Sequence, residues 1–142
     1  MYDAIQLSIR RVRAYHEKQK ATGWWMQDDG ALLGQIVRPL KRVGVYIPGG
    51  TAAYPSTVIM NVIPAQVAGV KEIVIATPPA VEVRAHDIVM ATAHCLGVEQ
   101  IFLAGGAQAI AALAYGTESC PAVDKITGPG NRFVAAAKRL VY

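Results

Sequence analysis

Three glycine-containing corners, and the polar residues beside them, are the part of the sequence that could do chemistry. Each corner follows a short apolar run typical of a strand, and two of them lead directly into helical segments. Because the carboxyl ends of parallel strands and the N–H groups of helix N-termini meet at one edge of a sheet, these corners favour an anionic or nucleotide ligand. Tyr46, Gln108 and Asn131 lie at the same predicted edge and are the candidate binding residues. The corners are Pro48–Gly50, Gly105–Gly106 and Gly128–Gly130.

A plainer interpretation of these glycines is that each one only allows a tight turn. The sequence also has no G-x-G-x-x-G after its first sheet strand and no G-x-x-x-x-G-K-[ST], so two standard phosphate-binding fingerprints are missing. The occurrence of all three corners together with three polar residues favours a binding site over the plainer interpretation. A dinucleotide here would be held in some other way.

Residues for acid–base, nucleophilic or metal chemistry are poorly arranged. His86 and His94 are eight residues apart in one predicted helix, whereas helical metal sites use i, i+3 or i, i+4 spacing. His16 lies far from both, and Cys120 has no neighbouring histidine to activate its thiol. We therefore predict a binding site with no catalytic residue and no metal site in this chain.

The composition predicts one soluble domain. With 142 residues and 53% apolar content, the chain is long enough to bury a core. Its net charge of +4 comes largely from basic residues near both ends, which we interpret as solvated helix faces and not as a nucleic-acid site. No apolar run could span a membrane and no signal-peptide pattern occurs, so we expect a cytoplasmic protein without a membrane partner. Cys95 and Cys120 lack disulfide or metal spacing and are expected to be small buried thiols.

The N-terminal third is predicted to contain a helix, a turn and one strand. Apolar residues at helical spacing indicate an amphipathic helix from residue 1 to about residue 21. Trp24–Met26 is interpreted as a turn with exposed apolar bulk, suited to an interface with a missing domain or a second subunit. Residues 32–37 form a strand that is expected to pair antiparallel with the strand at 43–47, because the connection is short.

The rest of the chain alternates strands and helices. Ser56 and Thr57 are candidate N-caps of the helix after the first corner. The spacing of the strand starts is typical of βαβ units, so we predict an α/β fold with a Rossmann-like, mostly parallel sheet flanked by helices, an N-terminal helix and a short antiparallel edge pair. Residues 1–30 form the helix and Trp-rich turn, and residues 31–142 the Rossmann-like domain. The predicted elements after that corner are strands at 72–76, 100–104 and 123–127 and helices at 81–96, 107–115 and 131–141.

Several long motifs closely resemble the histidinol dehydrogenase family, from about Leu32 to Tyr142. The motifs are Arg38–Pro39, Gly44–Gly50, Gly105–Ser119 and Val123–Asn131. Family members oxidise L-histidinol to L-histidine in two NAD-dependent steps, as zinc-dependent homodimers. The resemblance implies that Tyr46, Gln108 and Asn131, which match the family's motif positions, contact NAD.

The resemblance also implies that this chain is part of a longer protein and is inactive by itself. The family's Glu-His acid–base pair and its zinc and histidinol ligands belong to segments that follow the matched stretch, so zinc is expected only in the complete protein. The last helix, which ends without a cap, is expected to share an exposed apolar patch with Trp24 and Trp25. Two alternatives remain open: a non-catalytic nucleotide-binding or interaction module of the same fold, and part of a paralogous NAD-dependent alcohol dehydrogenase.

Overall fold

The structure is a computed structural model that describes residues 1–49, 54–80 and 86–142. Within these residues the chain forms five helices and six strands. The helices are α1 (Tyr2–Glu17), α2 (Pro55–Val67), α3 (Asp87–Cys95), α4 (Gly106–Tyr115) and α5 (Arg132–Val141). The strands are β1 (Trp24–Asp28), β2 (Ala31–Gln35), β3 (Arg42–Tyr46), β4 (Glu72–Thr77), β5 (Gln100–Leu103) and β6 (Lys125–Thr127).

The centre of the fold is a parallel sheet with the strand order β5-β4-β3-β6. Its inner strands are runs of β-branched residues because both of their faces are buried. Val43, Val45 and Ile75 face a cluster formed with α1, α2 and α3, whereas Tyr46 and Val74 face a second cluster formed with α4 and α5. The predicted α/β fold with helices on both faces of a parallel sheet is confirmed.

The helix after β3 begins earlier than predicted. Tyr54 is its N-cap residue and Pro55 stands in the first turn, where a missing N–H costs no hydrogen bond. The prediction that Ser56 or Thr57 caps this helix is therefore wrong. The buried face of this helix is apolar and consists of Val58, Ile59, Val62 and Ile63.

The prediction of a turn at Trp24–Met26 is also wrong, since these residues form most of β1. The strand β1 pairs antiparallel with β2 in a separate two-stranded sheet. The expected pairing of β2 with β3 is therefore wrong. Asp29 and Gly30 connect the two strands with φ angles of 42° and 82°, a geometry that suits an Asp-Gly hairpin turn. Every residue of both strands is exposed, including Trp24 at 51% and Trp25 at 62%.

The first helix ends at Glu17, before the predicted end near residue 21, and packs Ile5 and Ile9 into the same core as α2. The helix predicted over 81–96 is observed from Asp87 to Cys95, while residues 81–85 lie outside the described residues. Gly97 follows its C-cap residue Leu96 with φ of 69°, the conformation in which glycine commonly ends a helix. None of the described helices is both long enough and apolar enough to cross a bilayer.

A polar clamp ties the amino ends of three strands together. The Arg42 guanidinium forms an ion pair with Glu72 at the start of β4 and donates to the Ala122 carbonyl oxygen at 3.0 Å. The Arg42 amide donates to the Asp124 carboxylate at 2.9 Å, just before β6. This clamp fixes the register of the sheet at the edge opposite to the glycine corners.

Candidate functional site at the carboxyl edge of the sheet

The direction of strand order reverses between β3 and β6. From β3 the chain proceeds to β4 and β5 on one side and then returns to place β6 on the other side, with Val45 opposite Thr127. In open α/β sheets, ligands bind in the crevice beyond the carboxyl ends of the strands at such a reversal. The residues just after β3 and β6 therefore define the candidate site.

Tyr46 is the last residue of β3 and joins that strand to α4. Its side chain is only 3% exposed and packs in the second core cluster. The hydroxyl oxygen accepts a hydrogen bond from the Gly106 amide at 3.1 Å, which satisfies one of the free N–H groups at the N-terminus of α4. The ring is therefore structural, and the hydroxyl, which can still donate its own proton, is the part that lies at the helix end.

Gln108 stands in the first turn of α4 and is exposed. Its side chain folds back over Gly106, because a Cβ added at Gly106 would lie 2.9 Å from the Gln108 Oε1 atom. Gly106 also has φ of 68°, so a side chain there would be strained as well as crowded. The amide of Gln108 is thereby held next to the N-terminus of α4.

Asn131 is the N-cap of α5. Its Oδ1 atom accepts hydrogen bonds from the amides of Phe133 at 3.0 Å and Val134 at 3.1 Å. This capping occupies the side-chain oxygen and leaves the Nδ2 group able to donate outward, since Asn131 is exposed. The structure thus places Tyr46, Gln108 and Asn131 on the same edge of the sheet, at the ends of three different elements.

Pro78 packs the loops of this edge together, a role that sequence reasoning missed. A Cβ added at Gly49 would lie 2.8 Å from the Pro78 Cβ atom, and one added at Gly105 would overlap the same ring. These glycines follow β3 and β5, while Pro78 follows β4. Two of the predicted ligand glycines therefore make room for a neighbouring residue, and the signal in the sequence is the Pro78-Pro79 pair directly after β4.

Lys138 and Thr127 are the other polar groups that sequence reasoning did not assign to this edge. The Lys138 Nζ atom donates to the Gly128 carbonyl oxygen at 2.6 Å. Burial lowers the pKa of the Lys138 ammonium. The Thr127 hydroxyl is buried without a hydrogen-bond partner in the described part of the chain.

Among the residues that the structure describes, groups for acid–base or metal chemistry are not gathered at this edge. Within residues 1–49, 54–80 and 86–142, no three His, Cys, Asp or Glu side chains are placed to hold a metal ion. Cys120 is buried, and burial raises the pKa of its thiol, which keeps the sulfur protonated and unreactive. His16 bonds to Gln19 at 2.6 Å between Nδ1 and Oε1 on the outside of α1.

A groove of about 690 Å³ lies beside α2 and the end of α1 and reaches Thr127 at the end of β6. Met60, Pro64 and Lys125 are among its lining residues, whereas Tyr46, Gln108 and Asn131 are not. The reversal of strand order and the helix N-termini indicate the carboxyl edge, so we place the candidate site there and not in this groove.

The fold and the position of the site define a doubly wound α/β protein with Rossmann-like strand order. The sequence matches the family model for histidinol dehydrogenase over residues 1–142, so the chain belongs to the histidinol dehydrogenase family. The match includes residues 1–31, whereas the resemblance in the sequence motifs was expected to begin at about Leu32.

Curated relatives and a solved structure agree with this family. The chain is 61% identical over 140 residues to histidinol dehydrogenase from Neisseria gonorrhoeae, covering 98% of this chain and 32% of the relative. It is 58% identical over 143 residues to histidinol dehydrogenase from Geobacillus kaustophilus, covering 100% of this chain and 34% of the relative. The crystal structure of histidinol dehydrogenase from Elizabethkingia anophelis superposes with a TM-score of 0.92 at 40% identity, covering 98% of this chain and 32% of that one. The chain therefore spans about a third of the length of these relatives.

Proposed function

We propose that this chain is the NAD-binding portion of a histidinol dehydrogenase, the enzyme that oxidises L-histidinol to L-histidine with two NAD in histidine biosynthesis. The observation that carries the proposal is the meeting of two helix N-termini and two side-chain amides at the reversal of strand order. Family membership supplies the reaction, and the carboxyl edge supplies the donors that a dinucleotide needs.

The residues present fit a dinucleotide. The amides of Gln108 and Asn131 would donate to the cofactor, and the first turns of α4 and α5 would favour its pyrophosphate. The Tyr46 hydroxyl, already held by the Gly106 amide, would donate its remaining proton. When bound, NAD would accept the hydride from the alcohol carbon of histidinol.

The described residues do not fit a zinc site, because no three suitable ligands come together in them. We propose that zinc, histidinol and the acid–base pair belong to the rest of the complete enzyme, and that this chain by itself binds NAD without turnover. The exposed hairpin with Trp24 and Trp25 would then contact another domain or the second subunit of a homodimer.

Calorimetric titration of NAD into the purified chain tests this proposal. Asn131→Asp keeps the oxygen that caps α5 but removes the amide donor and adds a negative charge, so we expect at least about tenfold weaker NAD binding without loss of stability. Gln108→Ala should weaken binding by a similar factor. Gln27→Ala, which removes an exposed amide on the hairpin, is the matched control and should bind as the wild type does.

A second measurement separates binding from catalysis. Adding histidinol and zinc to the NAD-loaded chain should give no NADH absorbance, because the described residues gather no base and no metal site for the alcohol. NADH formation that Asn131→Asp abolishes would contradict the proposed absence of catalytic groups. No NAD binding at millimolar concentration would refute the proposal and favour the non-catalytic interaction module, and oxidation of another alcohol by the complete protein would favour the paralogous dehydrogenase.

A further inference from the structure

Side chains at the end of α5 reach back to the strand that precedes the helix. Lys138 Nζ donates to the Gly128 carbonyl oxygen at 2.6 Å, and the Tyr142 hydroxyl donates to the Ile126 carbonyl oxygen at 3.2 Å. Residues four apart lie on one side of a helix, and residues two apart in an extended strand point their carbonyls the same way. The helix α5 therefore runs antiparallel to β6, and its last turn makes two hydrogen bonds to carbonyl oxygens on the same side of that segment.

The Gly128 carbonyl lies where the backbone ladder between β3 and β6 loses a donor. The Asp124 amide donates to the Arg42 carbonyl oxygen at 2.9 Å. In a parallel pair only alternate residues of a strand bond to a given neighbour, so the even-numbered residues of both strands make the hydrogen bonds between β3 and β6. If this alternation continued beyond β6, the Gly128 carbonyl oxygen would accept its hydrogen bond from the backbone N–H of residue 48. Pro48 has no N–H, and Lys138 supplies the hydrogen bond that the backbone cannot make.

The surroundings of the Lys138 ammonium suit this role. It is partly buried, and no carboxylate forms an ion pair with it in the described ranges of the chain. Its described partner is the backbone oxygen of Gly128, three residues before the Asn131 cap. A charged donor on a carbonyl is a strong form of hydrogen bond, so this contact fixes the turn that carries Asn131.

We propose that Lys138 is a positioning residue of the cofactor site, whose ammonium holds the turn at 128–131 so that Asn131 caps α5 and presents its amide at the carboxyl edge. The proposal rests on the proposed NAD site for its functional meaning. Its structural content, the fixing of the turn, can be measured without any ligand.

The test uses Lys138→Met, which keeps the aliphatic stem but removes the donor, and Lys138→Arg, which keeps a cationic donor. Arg139→Met is the matched control, because Arg139 is the exposed cation next in sequence on the same helix. Amide hydrogen exchange of Phe133 and Val134, the two amides bonded to the Asn131 side chain, is followed by NMR. NAD affinity is measured on the same samples.

We expect Lys138→Met to speed exchange of those two amides by about tenfold and to weaken NAD binding by a similar factor. The Ile110 amide in α4 should be unaffected in this variant. Lys138→Arg should restore both values to within about threefold of the wild type, and Arg139→Met should change neither.

Unchanged exchange of Phe133 and Val134 in Lys138→Met would overturn the proposal. The proposal would also be overturned if these amides exchanged as fast in Lys138→Arg as in Lys138→Met. If Lys138→Met does not fold, Lys138→Gln is compared instead. Failure of both uncharged variants to fold, with Lys138→Arg folded, would assign Lys138 to global stability and not to positioning. A wild-type chain that binds no NAD would refute the proposed function, while the exchange data would still decide the role of Lys138 in the turn.

Discussion

Replacing Gly128 with alanine should be among the most damaging single-methyl additions in this fold. Gly128 has φ of 99°, where an L-residue is strained by about 1–2 kcal/mol. A Cβ at this position would also lie 2.9 Å from the Tyr46 carbonyl carbon and 3.1 Å from the Tyr46 nitrogen, and would overlap the Tyr46 oxygen. These neighbours are backbone atoms of a buried central strand, so the turn itself would have to move.

The cost can be estimated by adding overpacking to the strain. Forcing a methyl group into a packed site costs roughly 1–3 kcal/mol, so Gly128→Ala should lower the free energy of unfolding by about 2–5 kcal/mol in total. Gly97→Ala provides the matched control, because Gly97 also has a positive φ of 69° but has no atom within 4 Å of the added Cβ. That variant should lose only the strain term of about 1–2 kcal/mol.

Urea unfolding of the wild type and both variants measures this difference. We expect the midpoint to fall much further for Gly128→Ala than for Gly97→Ala, with similar slopes if unfolding stays two-state. Equal losses in the two variants would show that the close approach of Gly128 to β3 does not constrain the turn.

Three further expectations concern other parts of the chain. Arg42→Met should lower the free energy of unfolding by about 2 kcal/mol because it removes the guanidinium contacts to Glu72 and Ala122 and leaves only the backbone contact to Asp124, and a loss no larger than that of Lys41→Met in urea unfolding would contradict this. Burial raises the pKa of the Cys120 thiol, so its thiolate fraction at pH 8 is depressed and a disulfide reagent should modify it slowly until the chain is unfolded; rapid labelling of the native chain, located by mass spectrometry, would refute this. A Cβ at Gly34 would overlap the Trp25 ring, so Gly34→Ala should shift tryptophan emission with little loss of core stability, and an unchanged spectrum would argue against this packing.

The parallel sheet could be predicted from the sequence because strands buried on both faces are short apolar runs separated by glycine corners. Val43, Val45 and Ile75 are examples, all buried as expected. The hairpin was missed although its signal is present. Asp29-Gly30 is a strong two-residue turn signal, but Trp24–Met26 was interpreted from its exposed bulk and not from its high strand propensity.

The candidate site was predictable only as a set of strand ends. The position of Asn131 after a glycine corner indicated a helix start, and the structure shows it as the N-cap of α5. The contact from Lys138 to Gly128 could not be predicted, because it depends on the path of α5 back along β6 and joins residues ten apart. The packing of Gly49 and Gly105 on Pro78 likewise depends on neighbouring loops that are distant in sequence.

The contact of Pro78 with Gly49 and Gly105 also has a consequence for ligand affinity. Gly49, Pro78 and Gly105 follow three different strands and are interlocked through one rigid ring, so a displacement of one of these residues must displace the others. The positions of these three residues are therefore fixed during folding and not during binding, which favours affinity through preorganisation. The same interlock limits the range of ligand shapes to which this rim can adapt. Substitution of Pro78 would change the response of all three loops together.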